Sequence, residues 1–118
     1  KHGYLWKKGP NWRAWKKRYM ILSSEGLIYF KTKEAWTRDT GAQGMMLFYD
    51  MINPDGHPAC EMVAMAMAGK RSSFHVLTKN KKRICAAASE KEAAEWVEAI
   101  NQGLKDWQAR MRGMNKSK

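Results

Sequence analysis

Positive charge is the chemistry this sequence offers, and it comes in blocks. From Lys1 to Arg18 stand Lys1, Lys7, Lys8, Arg13, Lys16, Lys17 and Arg18, with no acid among them. Lys31, Lys33 and Arg38 follow, against Glu34 alone. No Lys or Arg occurs from Asp39 to Gly69, and then Lys70, Arg71, Lys79, Lys81, Lys82 and Arg83 come close together. Across 118 residues, 22 Lys and Arg face 11 Asp and Glu, for a formal charge of +11. An excess of this size selects anionic partners: a membrane surface, an acidic protein face or nucleic acid. The sharpest arrangement is Lys16-Lys17-Arg18. Alternation along a strand sends Lys16 and Arg18 to one face and Lys17 to the other. A planar guanidinium fork beside mobile ammonium groups suits phosphomonoesters.

Other chemistries find no residues to carry them. The sequence has no Ser/His/Asp or Cys/His arrangement, no phosphate-cradling glycine loop ahead of a helix, and no cluster at metal-ligand spacing. It is read as a non-enzyme without cofactor or metal. His2, His57 and His75 lack ligand spacing, and Cys60 and Cys85 are expected as buried or half-buried thiols in a reducing compartment. No apolar run approaches the ~18 residues of a membrane span. There is no signal-peptide pattern. The opening at Lys1 rather than Met reads as a domain excised from a longer protein. Hydrophobic residues make up 44%, enough for one compact domain with its own core.

The elements that must position these charges are short. Tyr4-Leu5-Trp6 is a strand, closed by a Gly9-Pro10-Asn11 turn. Trp15 to Leu22 is the second strand, Ser23-Ser24-Glu25-Gly26 a tight turn, and Leu27 to Phe30 the third. Residues 31 to 41 are polar and read as a loop, and a fourth strand is expected over Gln43 to Tyr49. After the Asn53-Pro54-Asp55-Gly56 turn come strands over Met62 to Met67, Ser73 to Thr78 and Arg83 to Ala87. From Ser89 the period changes. Ser89 with Glu92 three residues on is a capping box. Trp96, Ile100, Leu104, Trp107 and Met111 then mark one face of a helix of about six turns. Seven antiparallel strands and one closing helix make an all-β barrel or sandwich of two near-orthogonal sheets with the helix as its plug. The domain is set at residues 1–112, followed by a frayed basic tail, residues 113–118.

At this point the residues carry a resemblance. Gly3-Tyr4-Leu5-Trp6-Lys7, Trp15 to Leu22 and Leu27 to Phe30 resemble the first three strands of a pleckstrin-homology domain. The stretch Ser89 to Val97, with Trp96, is similar to the closing helix of that family. The resemblance covers nearly the whole chain, leaving out residues 50–61 and those after Arg112. It implies a bent barrel with one end capped by the helix. The loops after strands one, three and six meet at the other end, here Lys8 to Ala14, Lys31 to Gly41 and Lys79 to Lys82. Lys70 and Arg71 fall in a different loop. Lys7, Gly9, Lys16, Arg18, Tyr19 and Met20 match the pattern of phosphoinositide-binding members, with Met20 where Phe is more usual.

The resemblance therefore implies a module that binds phosphorylated phosphoinositide headgroups. It would work as a monomer, peripheral on the cytosolic face of a membrane. Lys7, Lys16, Arg18 and Tyr29 are the headgroup candidates, with Lys8, Arg13 and Arg38 as further contacts. Trp12, at the tip of the first loop beside Arg13, is a candidate for insertion between headgroups and acyl chains. Two alternatives stand beside this reading: another anionic lipid such as phosphatidic acid, and docking on an acidic protein partner. Nucleic acid is set aside, because Trp96 and Trp107 belong to the helix core and the basic blocks lie in hairpin loops rather than along a groove.

Overall fold

The computed structural model describes residues 1–8, 14–53, 57–63, 72–79 and 81–116, with residues 115 and 116 described by backbone alone. Strands β1 (His2–Lys8), β2 (Trp15–Ser23) and β3 (Gly26–Phe30) form an antiparallel meander that β4 (Gly44–Leu47) extends. Strands β5 (Cys60–Met62), β6 (Ser73–Leu77) and β7 (Lys82–Ala86) form a second meander. Pairing of β1 with β7 at Trp6↔Ala86 and Lys7↔Cys85 joins the two. All seven strands thus belong to one hydrogen-bonded sheet, in the order β4-β3-β2-β1-β7-β6-β5, where two sheets were expected.

Alternation sorts the β1–β2 hairpin as expected. Leu5 and Met20 are fully buried on the inner face. The β2–β3 turn needs its glycine: Gly26 has φ 139°, and a side-chain carbon there would fall 2.4 Å from the Met46 carbonyl oxygen. Helix α2 (Glu90–Lys116) begins as the capping box predicts, with the Glu92 amide donating to Ser89 Oγ at 3.1 Å. Its Trp96, Ile100 and Leu104 are buried against Leu5, Met20, Phe48 and Phe74 in one core. Asn101 ties α2 to the sheet edge: its Oδ1 accepts from the Cys60 amide at 3.2 Å and its Nδ2 donates to the Cys60 carbonyl at 2.8 Å. Farther along, Arg110 donates to the Ser24 carbonyl at 2.7 Å. The helix runs on to Lys116, so residues 113–116 are helical where a frayed tail was expected. No helix of the described residues is long and apolar enough to cross a membrane.

Two segments depart from the sequence reading. The fourth strand ends at Leu47, and Phe48–Asp50 is a turn of 3-10 helix that drops Phe48 into the core. The polar stretch after β3 contains a short helix, α1 (Lys33–Thr37). Thr32 Oγ1 caps it by accepting from the Ala35 amide at 3.1 Å. Its Trp36 then stacks on Tyr19, at 5.4 Å between centroids and 26° between planes. Five residues are too few to show a helical period, and what holds them is this contact with a distant strand. Of the strand expected over Met62 to Met67, Met62 ends β5, and residues 64–67 lie outside the described residues.

Candidate functional site

The inner face of the hairpin changes character along its length. Register pairs Gly3 with Met20, Leu5 with Arg18 and Lys7 with Lys16. One face therefore passes from core to three cations within two pairs, because the strands outrun the core they cover. Tyr29, opposite Met20 on β3, lies on the same side. Lys7, Lys16, Arg18 and Tyr29 line a cavity of about 570 Å³, closed on its far side by Thr40, Gly41, Ala42 and Gln43. That volume falls within the ~300–1,000 Å³ of small-ligand clefts. Among the described residues, no acidic side chain lines it.

Among the described residues, no acid pairs with Lys7, Lys16 or Arg18. His57 Nδ1 lies 3.5 Å from Glu61 Oε1, outside this cavity. Arg18 donates through Nη1 to the Lys17 carbonyl at 2.8 Å, which fixes one arm of the fork. Lys7 Nζ lies 5.3 Å from the centre of the Tyr29 ring. Burial lowers the Lys7 pKa from its ordinary 10.5, and the like charges of Arg83, Lys81 and Arg18 add to this against an opposing pull from Cys85. A group held this way gains from any anion that enters.

The cavity's far wall hangs from α1. Thr40 donates to the Ala35 carbonyl through its amide at 3.0 Å, and the Gln43 amide donates to the Tyr29 carbonyl at 2.8 Å. Asp39 and Gly41 turn the chain between these anchors with φ of 52° and 101°. The helix itself is fastened to the outer face of the sheet. Tyr4 Oη accepts from the Lys33 amide at 3.0 Å, His2 Nδ1 hydrogen-bonds Tyr19 Oη, and Trp36 packs against both His2 and Tyr19.

Four of the expected site residues thus come together, and the two other described candidates, Lys8 and Arg38, do not line the cavity with them. Lys8, next to Lys7, faces the opposite way, with Nζ 5.4 Å from the Trp15 ring centre. Arg38 closes the end of α1, exposed, and is not among the cavity's lining residues. Trp12 and Arg13 lie outside the described residues, as do Gly9, Lys70 and Arg71. Lys17 takes the outer face as alternation requires, its Nζ 4.6 Å from the Tyr4 ring centre and 5.7 Å from that of Trp6.

One cation was missed. Arg83 shares the inner face of β7 with Cys85, which pairs with Lys7. Its Nε is buried with no hydrogen-bond partner among the described residues, and its charge acts on Lys7. The signal was present as parity with Cys85. Using it requires the β1–β7 register, which no local pattern supplies. Cys85 itself is a buried thiol pushed up to about 12 by burial, and Cys60 is raised for the same reason.

Comparison with known proteins agrees with the fold. A family model for the PH domain matches residues 1–105. The "Differentially expressed in FDCP 6 homolog" of Danio rerio is 31% identical over 105 residues, 89% of this chain and 15% of that protein. A RAC family serine/threonine-protein kinase homolog of Dictyostelium discoideum is 30% identical over 99 residues, 83% of this chain and 19% of that one. The chain spans less than a fifth of these curated relatives. Among solved structures, the PH domain of human oxysterol binding protein-related protein 11 has a TM-score of 0.73 at 17% identity, covering 93% of this chain and 83% of that one. The Slm1 PH domain, solved in complex with phosphoserine, has a TM-score of 0.72 at 16% identity, covering 89% and 94%.

Proposed function

The chain belongs to the PH domain family, and on that premise we propose that residues 1–112 are a module that recruits a larger protein to membranes by binding phosphorylated phosphoinositide headgroups. PH domains are generally non-catalytic, and the family often binds lipids or proteins. What carries the finer reading is the convergence of Lys7, Lys16 and Arg18 with Tyr29 around one cavity, with no acid among its described lining residues. Arg18 supplies a planar fork, Lys7 and Lys16 supply point charges, and the Tyr29 hydroxyl supplies a donor. Arg83 adds a positive charge that acts on Lys7. The module would sit on the cytosolic face of its membrane, with the remaining positive charge adding about 1 kcal/mol per Lys or Arg near an anionic surface.

Co-sedimentation with charge-matched liposomes tests this, using each phosphoinositide, phosphatidic acid, or phosphatidylserine alone, at two salt concentrations, for wild type and Arg18→Ala. A preference for phosphoinositide that survives salt and vanishes in Arg18→Ala is expected. The same pattern with phosphatidic acid would transfer the site to a simpler phosphomonoester lipid. Equal binding to every liposome, lost with salt, would sink the pocket reading and direct attention to an acidic protein partner.

A further inference from the structure

Gly44 sits in the middle of the site's support, and nothing in its backbone asks for glycine. The described glycines with positive φ are Gly26 and Gly41, so Gly44 has a backbone that an ordinary residue could adopt. In a strand, a glycine without such a need weakens the element and leaves nothing to pack. The explanation lies across the ladder. Gly44 pairs with Tyr29, and a side-chain carbon built on it would fall 2.3 Å from the Tyr29 hydroxyl oxygen and 2.5 Å from Cζ. The phenol occupies the volume that any other residue at position 44 would fill. Gly103 has a similar relation to Phe48, with 2.7 Å to Cζ, but Phe48 is buried in the core and the contact there is packing. Tyr29 instead lines the cavity, with the Lys7 ammonium 5.3 Å from its ring centre.

We propose that Gly44 is a positioning residue for the anion site: its missing side chain lets the Tyr29 phenol lie across β4, and the ring in turn holds Lys7 at the cavity. The inference rests on the headgroup reading for its effect on binding, though not for its geometry. A methyl group at position 44 meets the free end of a side chain, not backbone, so the ring yields and the strand survives. The displaced phenol then moves into the cavity or carries Lys7 away from it. Glycine at 44 thereby sets which ligands the site accepts without touching any of them.

The test is a double-mutant cycle with Gly44→Ala, Tyr29→Ala and the pair. Binding of an inositol phosphate with vicinal phosphomonoesters is measured by calorimetry. Gly44→Ala is expected to weaken binding about tenfold in the wild-type background and by less than about twofold in Tyr29→Ala. A strand defect would cost the same in both backgrounds, and that outcome overturns the proposal. The double variant has no clash, so it reports on folding if the single variant is unstable. A second readout needs no ligand: the ring-current shifts of the Lys7 methylene protons should change in Gly44→Ala and collapse in Tyr29→Ala. If wild type binds no inositol phosphate, the headgroup reading falls while the shifts still decide the geometry. Unmoved Lys7 shifts in Gly44→Ala would end the proposal whatever the ligand does.

Discussion

On the inner face of the β1–β2 hairpin, Lys7, Lys16 and Arg18 surround an open cavity. On the outer face, Lys17 lies over the Tyr4 and Trp6 rings and Lys8 over Trp15. These residues alternate along the same two strands. The outer cations are met by the negative faces of aromatic rings, a contact of about 0.5–1 kcal/mol at exposed sites. Among the inner ones Lys7 has the Tyr29 ring 5.3 Å away, yet burial and then the like charges of Arg83, Lys81 and Arg18 still lower its pKa, a penalty that an anion would relieve. What stands opposite the charge thus differs between two lysines one residue apart.

The contrast breaks most visibly at Arg18 and Lys17. Replacing Arg18 with Ala removes a charge-assisted fork, and binding of a soluble headgroup should fall about thirtyfold, or about 2 kcal/mol. Lys17→Ala should leave that affinity unchanged. On anionic vesicles, however, it should cost about fivefold, or about 1 kcal/mol, and the loss should disappear at high salt. Calorimetry with the soluble headgroup and vesicle sedimentation separate the two effects. Equal losses for both variants in the soluble assay would abolish the distinction between the faces.

The same alternation explains how much of the site was legible in the sequence. Leu5, Lys7, Lys16, Arg18 and Met20 follow the period of two, and the hairpin partners them locally, so the residue order alone implies their convergence. Ser89, Trp96, Ile100 and Leu104 follow the helical period with a capping signal. Lys8 follows the same rule: its neighbour Lys7 points in, so it points out, over Trp15. Arg83 and α1 were illegible for another reason. Each depends on a partner far along the chain, Cys85's pairing with Lys7 for one and Tyr19's ring for the other. Local periodicity carries no information about such contacts.

The outer face also supports the inner one, and a smaller effect exposes this. Trp36 packs on Tyr19 and His2 on the far side of the sheet, yet α1 carries the Thr40–Gln43 wall. Trp36→Ala should lower thermal stability and weaken headgroup binding about threefold, although no atom of Trp36 lines the cavity. Trp36→Phe should restore most of the affinity by keeping a ring on Tyr19. Full affinity in Trp36→Ala would show that the wall stands without its anchor and that the two faces work independently.

Near neutral pH the smallest effect comes from Lys7, and its sign is fixed by what surrounds it. Burial, then Arg83, lowers its pKa from 10.5 in the free protein. An anion in the cavity favours the ammonium and raises the pKa again, so binding draws in a proton wherever Lys7 has partly lost its own. Affinity is therefore full below the lowered pKa and declines as pH rises through it. Folding runs the other way. The unfolded chain holds this proton more tightly, so Lys7 detracts from stability below its folded pKa, and that handicap fades as pH climbs towards 10.5. Alkaline solution should thus weaken binding while relieving the fold at this residue. Lys7→Arg keeps its charge throughout, so its affinity should stay flat where wild type declines. Titration calorimetry of both proteins from neutral pH upward reads the difference, and parallel curves would mean that Lys7 meets no ligand charge.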